Sequence, residues 1–156
     1  MGFFGAVQSG FKGIIDFNGR SSRSEFNYWL LFLFLIQLMS IIIDPPDPII
    51  LPDNESQISE KNSSENVVYD PLNSRLFSFL YFTMLLPTTS LAIRRFHDIN
   101  KSGWYVLLPF TIIGVLPYYY FTSFVKGSSG ENKYGSDPLE NNIFNTIQVA
   151  YSDEEE

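Results

Sequence analysis

The chain has 156 residues, no cysteine, one histidine and a net charge of −7. The missing thiols exclude disulfides, thiolate catalysis and thiolate metal sites, and the acidic balance excludes nucleic acid as a general partner, because phosphate binding needs a basic face. Charged residues make up 17% of the chain, against about 25% in an average protein, and they sit in blocks between long apolar runs.

In chain order, Phe3, Phe4, Val7, Phe11, Ile14 and Ile15 recur at the 3.6-residue period. They predict an amphipathic interfacial segment over residues 1–25, lying on a bilayer. It lacks the basic start of a signal peptide. Ser22-Arg23-Ser24-Glu25 reads as a capping box that opens the next helix. Three runs then carry no Asp, Glu, Lys or Arg: 28–43, extendable back to Phe26, then 76–93 and 104–125. A bilayer core of roughly 30 Å takes about 20 helical residues. A soluble helix needs a polar face, and these runs have no charge on any face. The expected fold is therefore an all-α membrane protein of about three transmembrane helices with an N-terminal interfacial helix. Pro87 is expected to kink the second span, with Thr88, Thr89 and Ser90 covering freed carbonyls. Pro109, Gly114 and Pro117 interrupt the third, read here as one bent span rather than a re-entrant pair. Residues 44–75 and 126–156 each hold seven acids and two bases. With little apolar content they read as a flexible extracytoplasmic loop and a flexible tail.

Orientation follows the Lys and Arg counts. Residues 1–27 and the basic loop 94–103 hold six: Lys12, Arg20, Arg23, Arg94, Arg95 and Lys101. The loop 44–75 and the tail hold four: Lys61, Arg75, Lys126 and Lys133. The N-terminus is thus expected in the cytoplasm, and three crossings would put the tail outside. Trp29 and Trp104 at the inner boundary, and Tyr118 at the outer one, read as interface anchors.

The densest chemistry is Arg94-Arg95-Phe96-His97-Asp98. Arg95 and Asp98 are three apart and can pair on a helix. Arg20, Arg23, Glu25, Arg94, Arg95, His97, Asp98 and Lys101 form the candidate site for lipid or a partner. With Lys101, the arginines place five cations at headgroup depth. One histidine cannot build a zinc site, so no metal and no cofactor are expected. A proton-transfer role for His97 with Asp98 is the weaker alternative. Gly127 to Pro138 reads as tight turns, since Gly-Lys-Ser and Gly-Lys-Thr are both missing.

Four segments taken together resemble a known family. They are Phe17-Asn18-Gly19-Arg20-Ser21-Ser22-Arg23-Ser24-Glu25-Phe26, Arg94-Arg95-Phe96-His97-Asp98, Lys101-Ser102-Gly103-Trp104 and Gly130-Glu131-Asn132-Lys133-Tyr134-Gly135-Ser136-Asp137-Pro138. The chain resembles the bacterial inner-membrane family known as domain of unknown function 805, over roughly residues 11–138. Asn27 and Tyr28 depart from a more Trp-rich start to the first span, and the acidic loop is longer than usual. The resemblance implies a multi-pass protein of the bacterial cytoplasmic membrane, and it brings no catalytic residue with it.

The expected function is a non-enzymatic membrane module that binds anionic lipid or a partner protein through its arginine cluster. The alternative is a subunit of an oligomeric transporter or channel, motivated by the helix-breaking residues. A lipid-headgroup enzyme using His97 and Asp98 stands third.

Overall fold

The computed structural model describes residues 2–50, 67–140 and 147. The chain divides into two compact units, residues 1–33 with 84–156, and residues 34–83. Two long helices, α2 (Arg23–Ile43) and α3 (Arg75–Asp98), each contribute to both. They are 21 and 24 residues long and apolar enough to cross a membrane. At about 1.5 Å per residue either one spans a hydrocarbon core of roughly 30 Å. Much of their apolar surface, including Phe34, Ile42, Phe79 and Phe82, is exposed. A helix in a soluble core would bury such residues.

In the first unit, α1 (Phe3–Lys12) precedes α2. It does not stand alone, as an isolated interfacial helix would. Ala6 and Gly10 are buried, and a Cβ at Gly10 would strike the Trp29 ring. This small-residue stripe lets α1 lie close on α2. Phe11 meets Trp29 edge-on at 5.3 Å between centroids, and Ser9 donates to Glu25 at 2.5 Å. Ile14 and Ile15 fall beyond the helix, and Phe4 and Ile15 remain exposed. Ser22 Oγ accepts from the Glu25 amide at 3.3 Å, which is half of a capping box. The Glu25 carboxylate turns to Ser9 instead of reaching back.

The core of this unit is Phe26, Trp29, Leu91, Ala92, Phe96 and Tyr118. Trp29 is 0% exposed and donates to Thr88 Oγ1 at 3.0 Å. Tyr118 is buried against Phe96. Neither is the interface anchor expected from its place at the end of an apolar run. Trp104, by contrast, is 79% exposed. Pro87 lies within α3, where Thr88 and Thr89 hydroxyls donate to the carbonyls of Met84 and Leu85 at 2.6 and 2.7 Å.

The run 104–125 is not one bent helix. It breaks into a 3-10 segment (Gly103–Phe110), a short helix α4 (Val115–Tyr119) and a π turn (Tyr120–Phe124). Pro109 and Pro117 each remove a backbone donor. Between them the chain reverses at Thr111–Gly114. The Thr111 hydroxyl donates to the Leu108 carbonyl at 2.9 Å and accepts from the Gly114 amide at 3.1 Å. A Cβ at Gly114 would collide with that carbonyl, so the reversal requires glycine. Ile112 and Ile113 at the tip are 94% and 88% exposed. Both ends of the run return to the end of α3. Gly103 sits against Ile93 and His97, and the Ser128 amide donates to the Asp98 carbonyl at 2.8 Å. Residues 126–137 therefore stand beside Arg20 and Asp98. The expectation of a flexible tail on the opposite side is corrected for these residues. Most of 141–156 lies outside the described residues.

In the second unit, the segment expected as a flexible loop holds a two-stranded antiparallel ladder, β1 (Pro48–Ile50) and β2 (Val67–Tyr69), with Ile49 opposite Val68. The β-branched pairs favour it, so the fold is not purely helical. Residues 51–66, also expected to be flexible, lie outside the described residues. A 3-10 turn (Pro71–Asn73) follows. The Asp44 carboxylate then accepts from the Leu76 amide at 2.8 Å, and Ser74 Oγ accepts from the Phe77 amide at 3.1 Å. Two of the four unsatisfied amides at the start of α3 are met in this way.

Candidate functional site

The last turn of α3 carries Arg94, Arg95, His97 and Asp98, all buried. Asn100, in the left-handed region at φ 57°, ends the helix, and the Lys101 amide returns to the Phe96 carbonyl at 2.9 Å. Asp98 is the centre. Arg95 Nη1 donates to Asp98 Oδ2 at 2.6 Å, and Arg20 approaches Oδ1 through Nε at 3.1 Å and Nη2 at 3.0 Å. One buried carboxylate thus serves two buried guanidiniums. The excess positive charge is met by carbonyl dipoles. Arg20 also donates to the carbonyls of Ser128, Gly130 and Gly135. Arg95 donates to the carbonyls of Thr122, at 2.8 Å, and Val125.

These carbonyls have a structural origin. The final four carbonyls of a helix have no partner within it. At the end of the π turn they are those of Thr122, Ser123, Phe124 and Val125. Arg95 takes the first and last, Asn27 Nδ2 reaches Ser123 at 3.4 Å, and Arg23 Nη1 reaches Phe124 at 3.3 Å. Residues of α2 and α3 therefore cap the returning arm of the hairpin.

The segment after it is fixed by polar contacts rather than by apolar packing. Ser128 Oγ donates to the Asp98 carbonyl at 3.0 Å, and Asn132 Nδ2 donates to the His97 carbonyl at 3.0 Å. Asp137 accepts from the Gly130 amide at 3.1 Å. Tyr134 stacks flat on His97, with centroids 3.8 Å apart and planes at 5°. His97 Nδ1 lies 3.2 Å from the Gly19 carbonyl. Asp98, taken by two arginines, does not orient the imidazole, so the two are not brought together as an acid–base pair.

Of the expected site residues, the structure joins Arg20, Arg95, His97 and Asp98 in this node. Arg23 and Glu25 stand at its edge, and Lys101 is exposed beside Tyr105. Arg94 points away, under α1. Ser128, Asn132, Tyr134 and Asp137 complete the node, and no local pattern in the sequence marks them as site residues. Their only signal there is the joint occurrence of the four segments. A cleft of about 450 Å³ opens beside Asp98, lined by Arg23, Lys126, Ser24, Ser129 and Asp137 among others. Among the described residues there is no group of three His, Cys, Asp or Glu side chains fit to hold a metal ion.

Residues 14–136 match the family described as protein of unknown function (DUF805). The chain belongs to the DUF805 family. Its relatives include the inner membrane protein YhaI of Escherichia coli strain K12, 34% identical over 131 residues that cover 81% of this chain and 89% of YhaI. Another is the inner membrane protein YhaH of the same strain, 28% identical over 130 residues that cover 81% of this chain and 90% of YhaH. No solved structure matches. This DUF805 chain, with two helices apolar enough to cross a membrane, thus has named inner membrane proteins as relatives. The matched span contains Gly19–Glu25, Arg94–Asp98, the hairpin and Ser128–Ser136, and stops one residue short of Asp137.

Proposed function

We propose that this DUF805 protein is a non-enzymatic inner-membrane module whose basic, cytoplasmic face binds anionic lipid. In this reading α2 and α3 cross the bilayer, and the 103–125 hairpin is re-entrant, entering and leaving on one side. The observation that carries it is the placement of charge. Segments 1–27, 94–103 and 126–140 interlock at the node and hold eight of the ten Lys and Arg residues, and Lys and Arg rather than net charge set orientation. Segment 44–75 holds the other two and has a net of −5. Eight against two is a strong positive-inside bias, sharper than the six against four that three crossings would give. Arg20 and Arg95 are consumed by the node. Lys12, Arg23, Lys101, Lys126 and Lys133 are left to face the leaflet, each worth about 1 kcal/mol there.

The test is to reconstitute the full chain in nanodiscs of phosphatidylcholine with some phosphatidylglycerol and to measure retained lipid by native mass spectrometry. The wild type should enrich phosphatidylglycerol. Replacing Arg23, Lys101, Lys126 and Lys133 together by Gln should lower that enrichment several-fold. Unchanged enrichment in a folded variant refutes the reading.

One observation favours the alternative of an oligomeric transporter or channel. The hairpin is built from discontinuous helical pieces, as midplane sites often are, and its apolar tip is free to meet a second copy. A strictly monomeric protein in lipid with no solute flux in liposomes ends that alternative.

A further inference from the structure

Arg94 differs from its neighbours. Its side chain is buried, with the residue 8% exposed, yet its Nε and Nη2 atoms have no hydrogen-bond partner. Among the described residues both ion pairs go to Asp98, and no carboxylate lies within ion-pair distance of Arg94. Leaving two buried guanidinium nitrogens unpaired is costly, and no group among the described residues pairs them. The group lies under the end of α1, where a Cβ at Gly13 would strike it. It lines a cleft of about 330 Å³ with Gln8, Ser9, Lys12, Gly13 and Asp16. Lys12 is exposed at the rim. Asp16 is the one acid lining the cleft, and its carboxylate already accepts from the Asn18 amide at 3.0 Å. Phe4 and Ile15, next in sequence to lining residues, are exposed apolar side chains.

We propose that this cleft is a binding site for a phosphate group, with Arg94 as the buried anchor, Lys12 as the second cation and Gln8 as a further donor. A guanidinium suits a phosphate because it always keeps its charge and donates charge-assisted hydrogen bonds to phosphate oxygens. The source that fits is an anionic lipid headgroup, since Phe4 and Ile15 offer apolar surface to its acyl chains. The site rests on the reading of this face as lipid-binding and narrows it from a diffuse field to one held molecule.

The experiment uses the full chain in two arms. In phosphatidylcholine nanodiscs with phosphatidylglycerol as the minor component, native mass spectrometry counts lipids that survive mild activation. In a neutral detergent, inorganic phosphate is titrated while thermal stability is followed. The expected result is one tightly held phosphatidylglycerol per chain. Arg94→Gln and Lys12→Gln should each weaken it by about tenfold or more, the loss of one charge-assisted contact, and leave the diffuse enrichment in place. A rise in stability with inorganic phosphate that Lys12→Gln removes, with no held lipid, would overturn the lipid source and assign the cleft to free phosphate. Full retention in both variants, with no phosphate response, would overturn the site and mark Arg94 as a structural complement to the end of α1. In that case the broader lipid reading still stands or falls by the wild-type enrichment. If Arg94→Gln does not fold, Lys12→Gln, whose side chain is exposed, decides alone.

Discussion

Asp98 is the residue on which most of the node depends. It is one carboxylate between two buried guanidiniums, and removing its charge leaves both cations in a poorly solvated place. Breaking a buried pair from one side costs about 3–5 kcal/mol, so Asp98→Asn should lower unfolding stability in detergent by about that much. Arg20→Lys should cost less, because an ammonium keeps the ion pair but loses the fork that reaches three carbonyls. Gly127→Ala is a steric counterpart, since its Cβ would collide with the Asp98 carboxylate. It should destabilise the protein although no charge changes. The spacing of Arg95 and Asp98 makes their pairing readable from sequence, because three residues is close to one helical turn. The roles of Trp29 and Tyr118 are not readable there. An aromatic residue at the end of an apolar run looks the same whether it meets headgroups or a Gly10 on the next helix. Only the tertiary partner decides.

Among the elements, α2 and α3 are legible because a helix free of charge over some 18 residues is rare outside a bilayer. The third run passes the same test and fails as a single helix. Hydropathy records whether a residue tolerates lipid, and it does not record the direction of the chain. The reversal depends on Thr111 and Gly114, whose local hydrogen bonds lie outside any average. Start signals are legible in part. Ser22 caps α2, whereas the cap of α3 by Asp44 comes from 32 residues upstream and has no local signature. That cap makes a pH prediction. The amide of Leu76 and the hydroxyl of Ser74 hold the Asp44 carboxyl below its usual range. A lowered folded pKa gives stability that is present above the unfolded value, about 3.9, and lost as pH falls through the folded one. Asp44→Asn should therefore melt below the wild type at neutral pH, and the gap should narrow as the buffer is taken below about pH 4. A gap independent of pH would show that the charge is not what caps α3. At α1, Gly10→Leu should push the helix off Trp29 and raise the protease sensitivity of residues 3–12, with a change in tryptophan emission as the second readout.

The whole molecule makes a prediction about sidedness. The chain has no cysteine, so single cysteines placed at Lys12, Lys101 and Lys133 each report alone. All three should label from the cytoplasmic side, and one at Asp70 from the other side. Labelling of position 133 from the periplasm would restore a third crossing and dismiss the re-entrant hairpin. Residues 126–137 are illegible as an ordered segment because the rule for disorder weighs apolar content. This segment is held by Ser128, Asn132 and Asp137 through hydrogen bonds, with Tyr134 on His97 as its main ring contact. The order of synthesis gives the node one further property. Arg20 receives a carbonyl from a residue 108 positions later, and Arg95 one from 30 positions later. During synthesis the Asp98 pairs can therefore form first, and the remaining donors of Arg20 and Arg95 find their carbonyls only once residues 122–135 have been made. Chains cut short before residue 122 would keep the two ion pairs to Asp98 but leave the other guanidinium donors of Arg20 and Arg95 without those carbonyls.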